Sequence, residues 1–345
     1  MPQAKSLRDL MLIRAHNMEY LESINGNLGT ALGFKKPTNR RLTNIPAILV
    51  FVPQKINPKW IPKDQIIPKK LKGPDDLWCL LDVVEGGQAE EEEEFQESPS
   101  ELAERLRGWD DQVWAGSQIS YWENQRKQLY SVGTISAFVK EQGTNNYGLL
   151  TNQHVANKVG QKLYHPVPWG THIATTRKVI KFVEDEDWYG IDESKTYVRV
   201  DCAFAEIEPS FTKADINTRL MGVGKLGPVK EISLDDMSII GKKVLRVGAT
   251  SGITYGTVVA FGYEYSDEDN ESIYTDLLII GDNDKPFSIH GDSGSIIVTN
   301  NKSHNPIGML WGGWTERLRT GHAQENWSYA TTFLRICNIL EVSLI

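Results

Sequence analysis

From Trp109 onward the chain is a succession of short apolar and β-branched runs separated by turn residues, and this pattern constrains the fold more than any other feature. Ser131 to Val139 and Tyr147 to Thr151 are strand candidates on either side of Gly143-Thr144-Asn145-Asn146, a hairpin signal. Val244 to Val247, Gly256 to Phe261, Leu277 to Ile280, Ser295 to Thr299 and Ile307 to Trp311 supply more strands, and Asp201 begins another. Thr332 to Leu340 reads as a terminal helix. Many strands at short spacing imply a mainly β protein, built as barrels or a sandwich.

The first 84 residues read differently. Leu7, Leu10, Met11, Ile13, Met18 and Leu21 recur at helical spacing across residues 6 to 23, and Asn25-Gly26 supplies a stop. Ile45 to Val52 and Trp78 to Val84 are short strand candidates, so residues 1–84 are expected to form a small α/β N-terminal domain. A length of 345 residues is consistent with two domains. Between them, residues 85–108 form an acidic linker centred on Glu90 to Glu94; the net charge is +6 over residues 1 to 84 and -9 over residues 85 to 111. The strand-rich region proper would then run from 109 to 345.

Several function classes are excluded or disfavoured. No run approaches the ~20 apolar residues of a membrane span, and the N-terminus mixes Lys5, Arg8, Asp9 and Arg14 with its apolar residues, so the chain reads as soluble and cytoplasmic, with no membrane partner. Cys79, Cys202 and Cys337 lack metal-ligand spacing and are too few for a disulfide framework, which points to a reducing compartment. Cys202 sits in an apolar strand and reads as a buried small residue rather than a nucleophile. The lysines of residues 55 to 72, with Trp60, could contact nucleic acid, but prolines at 53, 58, 62, 68 and 74 make an extended, solvated connection the better reading. Docking of this segment on the acidic linker is a third reading. Gly248, Gly252 and Gly256 lack the lysine of a phosphate loop and read as turns. His165 and His172 have no metal-ligand setting, so neither a metal nor a cofactor is expected.

Gly291-Asp292-Ser293-Gly294-Ser295 places a serine between small residues where a strained turn could expose its hydroxyl. A serine hydroxyl is a poor nucleophile near neutral pH and needs a general base held by a third group. His154, in Thr151-Asn152-Gln153-His154, follows an apolar strand and is the candidate base; Asp201, in Val198-Arg199-Val200-Asp201, is the candidate orienter. The order His154, Asp201, Ser293, with separations of 47 and 92 residues, is the chymotrypsin order and not that of subtilisin or the α/β-hydrolases.

With these residues in place the chain resembles the trypsin-like serine proteases of the chymotrypsin fold, and more closely the plant narrow-leaf-type proteases and their bacterial relatives. The closer resemblance rests on Asn27 to Gly33, Ile45 to Pro53, Leu77-Trp78-Cys79 with Asp82 to Glu85, Asp187-Trp188-Tyr189-Gly190 and Ile307 to Gly313, and covers most of the chain. It implies two six-stranded barrels with the triad in the cleft between them, and a serine endopeptidase acting on protein or peptide substrates. It also implies an oxyanion hole from the backbone N–H groups of Gly291 and Ser293, Phe287 at the base of the primary specificity pocket, His290 at its rim, and Trp311-Gly312-Gly313 as its wall. With no acid at Phe287, a small or apolar residue is expected before the scissile bond. Leu310 replaces a serine that in many relatives bonds the triad aspartate. No cleavage sequence stands at the start of the barrel region, so Asp292 is expected to find a partner other than a freed N-terminus and the chain to need no such activation. The N-terminal domain could cap the cleft or mediate homo-oligomer assembly. A non-catalytic peptide-binding or scaffold protein of the same fold is the alternative.

Overall fold

The N-terminal residues form a helical cap on a small sheet. In this computed structural model, which describes residues 2–35, 43–53, 55–56, 58–86, 101–184, 188–190, 196–212, 214–266, 272–313 and 327–345, the first helix spans Leu7–His16. Ser6 and Asp9 cap it reciprocally: the Ser6 hydroxyl accepts the Asp9 N–H at 3.1 Å and the Asp9 carboxylate accepts the Ser6 N–H at 3.2 Å. The helical segment expected to reach residue 23 breaks at Asn17, whose side-chain amide donates to the carbonyls of Ile13 and Lys72, and resumes as Met18–Glu22. Beneath lie β1 (Gly29–Phe34), β2 (Pro46–Val52), β3 (Lys70–Lys72) and β4 (Trp78–Glu85), hydrogen-bonded in the order β3-β4-β2-β1. Only β2 and β4 run parallel. The lysine- and proline-rich connection carries two short 3-10 turns, and Trp60 on one of them is largely exposed. The centre of the acidic linker, residues 87–100, lies outside the described residues.

After β5 (Val113–Ala115), the next strands are β6 (Gln118–Asn124), β7 (Leu129–Thr134), β8 (Ala137–Glu141), β9 (Tyr147–Thr151), β10 (Lys162–His165), β11 (Thr171–Glu184) and β12 (Tyr197–Ile207). Here β7 and β8 are two halves of one bent strand interrupted at Ile135-Ser136. Pairing then runs β6-β7/β8-β9-β12-β11-β10 and back to β6, a closed antiparallel barrel of six strands. Alternation along β6 sends Ile119 and Tyr121 into its core and Ser120 and Trp122 outward.

A short β13 (Ile216–Leu220) pairs with β5, and a second barrel follows: β14 (Lys243–Gly248), β15 (Gly252–Ser266), β16 (Ser272–Gly281), β17 (Ile296–Thr299), β18 (Pro306–Gly313) and β19 (Trp327–Thr332). Its pairing, β14-β15-β16-β19-β18-β17 and back to β14, repeats the order of the first. Two six-stranded barrels with one shared strand order are the chymotrypsin-like architecture that the resemblance implied. The terminal helix Phe333–Leu340 leads into β20 (Val342–Leu344), which returns to pair with β8 of the first barrel.

The N-terminal sheet is continuous with the second barrel, because β1 pairs antiparallel with β15 along Thr30↔Glu264 to Gly33↔Ala260. Arg14 fastens the junction. Its guanidinium is 1% exposed, lies 3.2 Å from the Glu264 carboxylate, stacks 4.6 Å from the Tyr274 ring centroid, and donates to the carbonyls of Thr30 and Gly262. Burial pushes the Glu264 carboxyl above its ordinary range, and Arg14 opposes that shift. A cation at this depth requires a paired, hydrogen-bonded setting, and the cation itself belongs to one segment and its acidic partner to the other.

Candidate active site

His154, Asp201 and Ser293 reach the cleft from different elements. The strand β9 ends at Thr151 and turns into the short helix Gln153–Ala156, which carries His154 one residue past its start. Asp201 does not begin a strand, as the sequence suggested, but lies inside β12. Its φ of 46° is unusual for a non-glycine residue, and the pairing of β11 with β12 shifts register between Ile180 and Phe182, opposite this point. On the N-terminal side of the irregularity β12 stays paired with β11 and adds a parallel pairing of Tyr197 and Val198 with β16 of the second barrel. The strand therefore bends from one barrel toward the other where Asp201 must meet His154.

The carboxylate is fully buried and holds His154 at two points, one on the ring and one on the backbone. Asp201 Oδ2 is 2.8 Å from His154 Nδ1, and Oδ1 accepts the His154 backbone N–H at 3.1 Å. An ionised carboxylate only accepts hydrogen bonds, so Nδ1 carries the proton and Nε2 is left as the basic nitrogen. Burial pushes the Asp201 carboxyl upward, but the charge and hydrogen bonds of His154, with the charge of Arg199, outweigh it and bring the pKa down to about 2. Asn152 Nδ2 donates to the Asp201 carbonyl at 2.8 Å and fixes its backbone.

Ser293 occupies a turn whose shape is set by Asp292. Both side chains of the Asp292–Arg246 pair are fully buried, with Arg246 Nη2 2.6 Å from Asp292 Oδ2. The same carboxylate accepts the N–H of Ile289 at 3.0 Å, those of Thr250 and Ser251 at 3.1 Å each, and the Ser251 hydroxyl at 2.7 Å. Arg246 in turn donates to the Phe287 carbonyl at 2.8 Å and to Ser251 Oγ at 2.7 Å. Asp292 thus finds its cation inside the second barrel, on β14. Nearby, the Thr134 hydroxyl donates to the Gly291 carbonyl at 2.9 Å, and the Thr134 N–H donates to the Ser293 carbonyl at 2.8 Å. Gly291, at φ 89°, can take no side chain: a Cβ would run into Thr250 Oγ1.

With the carbonyls of Gly291 and Ser293 so engaged, their N–H groups donate no hydrogen bond among the described residues. Two undonated backbone N–H groups either side of a buried aspartate are donors that an oxyanion could use. The Ser293 side chain is almost buried and its hydroxyl forms no hydrogen bond among the described residues.

The candidate specificity residues are also gathered here. Phe287 is fully buried among the second barrel's apolar side chains, and its carbonyl accepts Arg246 Nε and Thr254 Oγ1. Trp311 is the extra residue of a bulge between Leu310 and Gly312, stacks on Tyr329 at 5.3 Å and donates Nε1–H to Thr275 at 3.0 Å. Past Leu310, β18 pairs with β19 on one edge, while β17 reaches only to Met309 on the other. His290 is exposed beside Gly291. Trp188 and Tyr189 are buried and donate to the carboxylate of Asp276, which also takes the N–H and hydroxyl of Thr332 at 2.7 Å each. Asp187 itself lies outside the described residues.

Sequence reasoning missed two residues of this site. Arg199 Nη2 donates to Asp201 Oδ2 at 3.3 Å while the guanidinium stacks 4.1 Å from the Trp311 ring, so the bond lost at Leu310 is replaced by a cation. Its spacing of two from Asp201 in a strand was a usable signal. Arg246 was the other: a lone cation in the apolar run Val244 to Val247 demands a buried acid somewhere. The turn that holds Asp292 lies between Gly248 and Gly252, so those glycines do frame a turn, and it binds an anion that belongs to the chain itself. His165 is tied to the Gln118 carbonyl and His172 lies 3.3 Å from Glu208; among the described residues no group of side chains is arranged to hold a metal. All three cysteines are buried and free, and burial first, then the neighbouring Asp201, pushes the Cys202 thiol far up, unsuited to attack.

Residues 2–84 match the NARROW LEAF 1 N-terminal domain and residues 95–345 the Nal1 C-terminal domain. Protein NARROW LEAF 1 of Oryza sativa subsp. japonica is 38% identical over 369 residues, which cover 99% of this chain and 61% of that protein. A probable serine protease of Bradyrhizobium tropiciagri is 24% identical over 300 residues, covering 81% of this chain and 36% of that protein. The chain therefore spans about three fifths and about one third of these two relatives' lengths. Among solved structures, Thermobifida fusca protease A gives a TM-score of 0.44 at 14% identity, over 68% of this chain and 99% of that one. A glutamic acid specific serine protease gives 0.46 at 14% identity, over 68% and 100%. By the two domain matches and the rice relative, the chain belongs to the NARROW LEAF 1 family.

Proposed function

We propose that the protein is a serine endopeptidase that cleaves protein or peptide chains through an acyl-enzyme on Ser293. The observation that carries this reading is the Asp201–His154 bond together with two undonated N–H groups at Gly291 and Ser293. In the mechanism, His154 Nε2 takes the Ser293 hydroxyl proton as Oγ attacks the substrate carbonyl. Negative charge moves to the carbonyl oxygen, where the N–H groups of Gly291 and Ser293 receive it. Asp201 stabilises the imidazolium and keeps Nδ1 protonated. His154 then gives its proton to the leaving amine, and water reverses the sequence to release the acid. The substrate backbone would add along the edge of Trp311-Gly312 not covered by β17, as an extra strand. The apolar, acid-free surroundings of Phe287 favour a small or apolar residue before the scissile bond. Three buried free thiols favour a reducing, cytoplasmic setting.

One observation favours the non-catalytic alternative: among the described residues no hydrogen bond joins the Ser293 hydroxyl to His154. Such contacts are often long in unliganded enzymes and close when substrate binds. A serine-reactive phosphonate separates the readings. Labelling of the full chain at Ser293, lost in Ser293→Ala along with about 10⁶ of any turnover, is the expected result; a folded protein that is never labelled overturns the enzyme reading.

A further inference from the structure

Three aromatic rings stand on the outer face of the first barrel with no core to fill. Tyr130 and Trp122 face each other across β6 and β7 with ring centroids 6.1 Å apart, and Trp169, from the loop after β10, lies 5.5 Å from Tyr130 and 5.8 Å from Trp122. Tyr130 is 41% and Trp169 66% exposed. The barrel interior is supplied by the alternate residues, Ile119 and Tyr121, so these rings are not part of its packing. Clustered exposed apolar surface of this kind marks a binding site more often than single exposed residues do.

Strand alternation ties the cluster to the catalytic turn. Thr134, Val132 and Tyr130 succeed one another at a spacing of two on β7 and so share its outer face. Thr134 bonds the Gly291 carbonyl, and Val132 lies 3.7 Å from where a Cβ on Gly291 would be. Tyr130 is therefore about 7 Å farther along the same face, at about 3.4 Å per residue. An extended substrate leaving the oxyanion donors along β7 would bring its second or third residue to the rings. Both contacts of Tyr130 are edge-to-face, at 82° and 86°, while Trp122 and Trp169 are tilted at 41°, an open corner that suits one more ring.

We propose that Trp122, Tyr130 and Trp169 form a subsite for an aromatic side chain two or three residues beyond the scissile bond, on its C-terminal side. The proposal rests on the protease reading, and the test keeps the two apart. The full-length protein is acylated with a short peptide methyl ester ending in alanine, which places nothing beyond the bond to be cut. Acceptor amides then compete with water: the acceptor α-amine attacks the acyl-Ser293 carbonyl, the new C–N bond forms as the C–Oγ bond breaks, and His154 carries the amine proton to Oγ. Wild type should favour Ala-Phe-amide or Ala-Ala-Phe-amide over Ala-Ala-Ala-amide by about ten-fold, the low end of apolar-pocket discrimination. Trp169→Ala, at an exposed position, should bring the ratio near one with ester hydrolysis unchanged, and Trp122→Leu should do the same. An active wild type that shows no preference, or a Trp169→Ala variant that keeps it, overturns the subsite. An inert ester with folded protein overturns the protease reading, and the subsite with it.

Discussion

Replacing Arg246 by methionine keeps an apolar stem of similar length inside the second barrel and removes only the charged fork. The fully buried Asp292 loses its counter-ion, but four neutral donors remain: the N–H groups of Ile289, Thr250 and Ser251, and the Ser251 hydroxyl. The Phe287 carbonyl keeps Thr254 Oγ1. Breaking one side of a buried pair costs about 3–5 kcal/mol, and the remaining donors place this case near 3. At about 2.1 cal/mol/K per residue over 345 residues, about 3 kcal/mol corresponds to a melting point lower by about 4 °C at pH 7. The same change loosens the turn that aims the N–H groups of Gly291 and Ser293, with a cost of about 10² to 10³ in the rate of phosphonate labelling. Arg246→Lys retains charge without the fork and should fall between. Thermal melts at pH 7 with labelling kinetics check this. A variant that melts within about 1 °C of wild type at pH 7 and labels at the wild-type rate refutes the argument. Because Arg246 already fills the place a freed N-terminus would take, the uncleaved chain should label without prior proteolysis.

Two further predictions concern the other acid. Asp201 has a folded-state pKa lowered to about 2, so the stability it contributes is present above the ordinary carboxyl range and is lost as pH falls from about 4 to 2; acid unfolding followed beside Asp201→Asn should show the two curves converging there. Arg199→Met removes a charge-assisted donor to Asp201 Oδ2 and the cation over Trp311, and kcat/KM should drop about ten-fold, with Arg199→Lys recovering part of it; unchanged turnover would assign Arg199 to packing alone.

The candidate triad residues were legible because each sits in a local pattern: a small-residue turn around Ser293, a strand end before His154, an acid at the edge of an apolar run for Asp201. The groups that position them were not, since their partners are distant and the sequence does not state which strands are neighbours. Arg246 and Asp292 are separated by 46 positions, and the closing pair β14–β17 brings Arg246 to the turn that precedes β17. The strand β11 went unread for a different reason. Arg177, Lys178 and Lys181 break its apolar pattern because much of that strand faces solvent.

The same limit explains the N-terminal unit. Its helix and two of its strands could be read from spacing, and Arg14 even falls on the buried face that Leu7, Leu10 and Met11 define, seven residues after the first. A cation on such a face implies a buried acid elsewhere, yet nothing local identifies Glu264 on β15. Without that pair, residues 1–84 read as a module of their own; with it, β1 is one more strand on the barrel that carries Ser293, Asp292 and Arg246. The second barrel needs its β15 edge covered, and the N-terminal sheet covers it. Arg14 from one segment and Glu264 from the other, 3.2 Å apart and both nearly buried, therefore join the two regions at this seam.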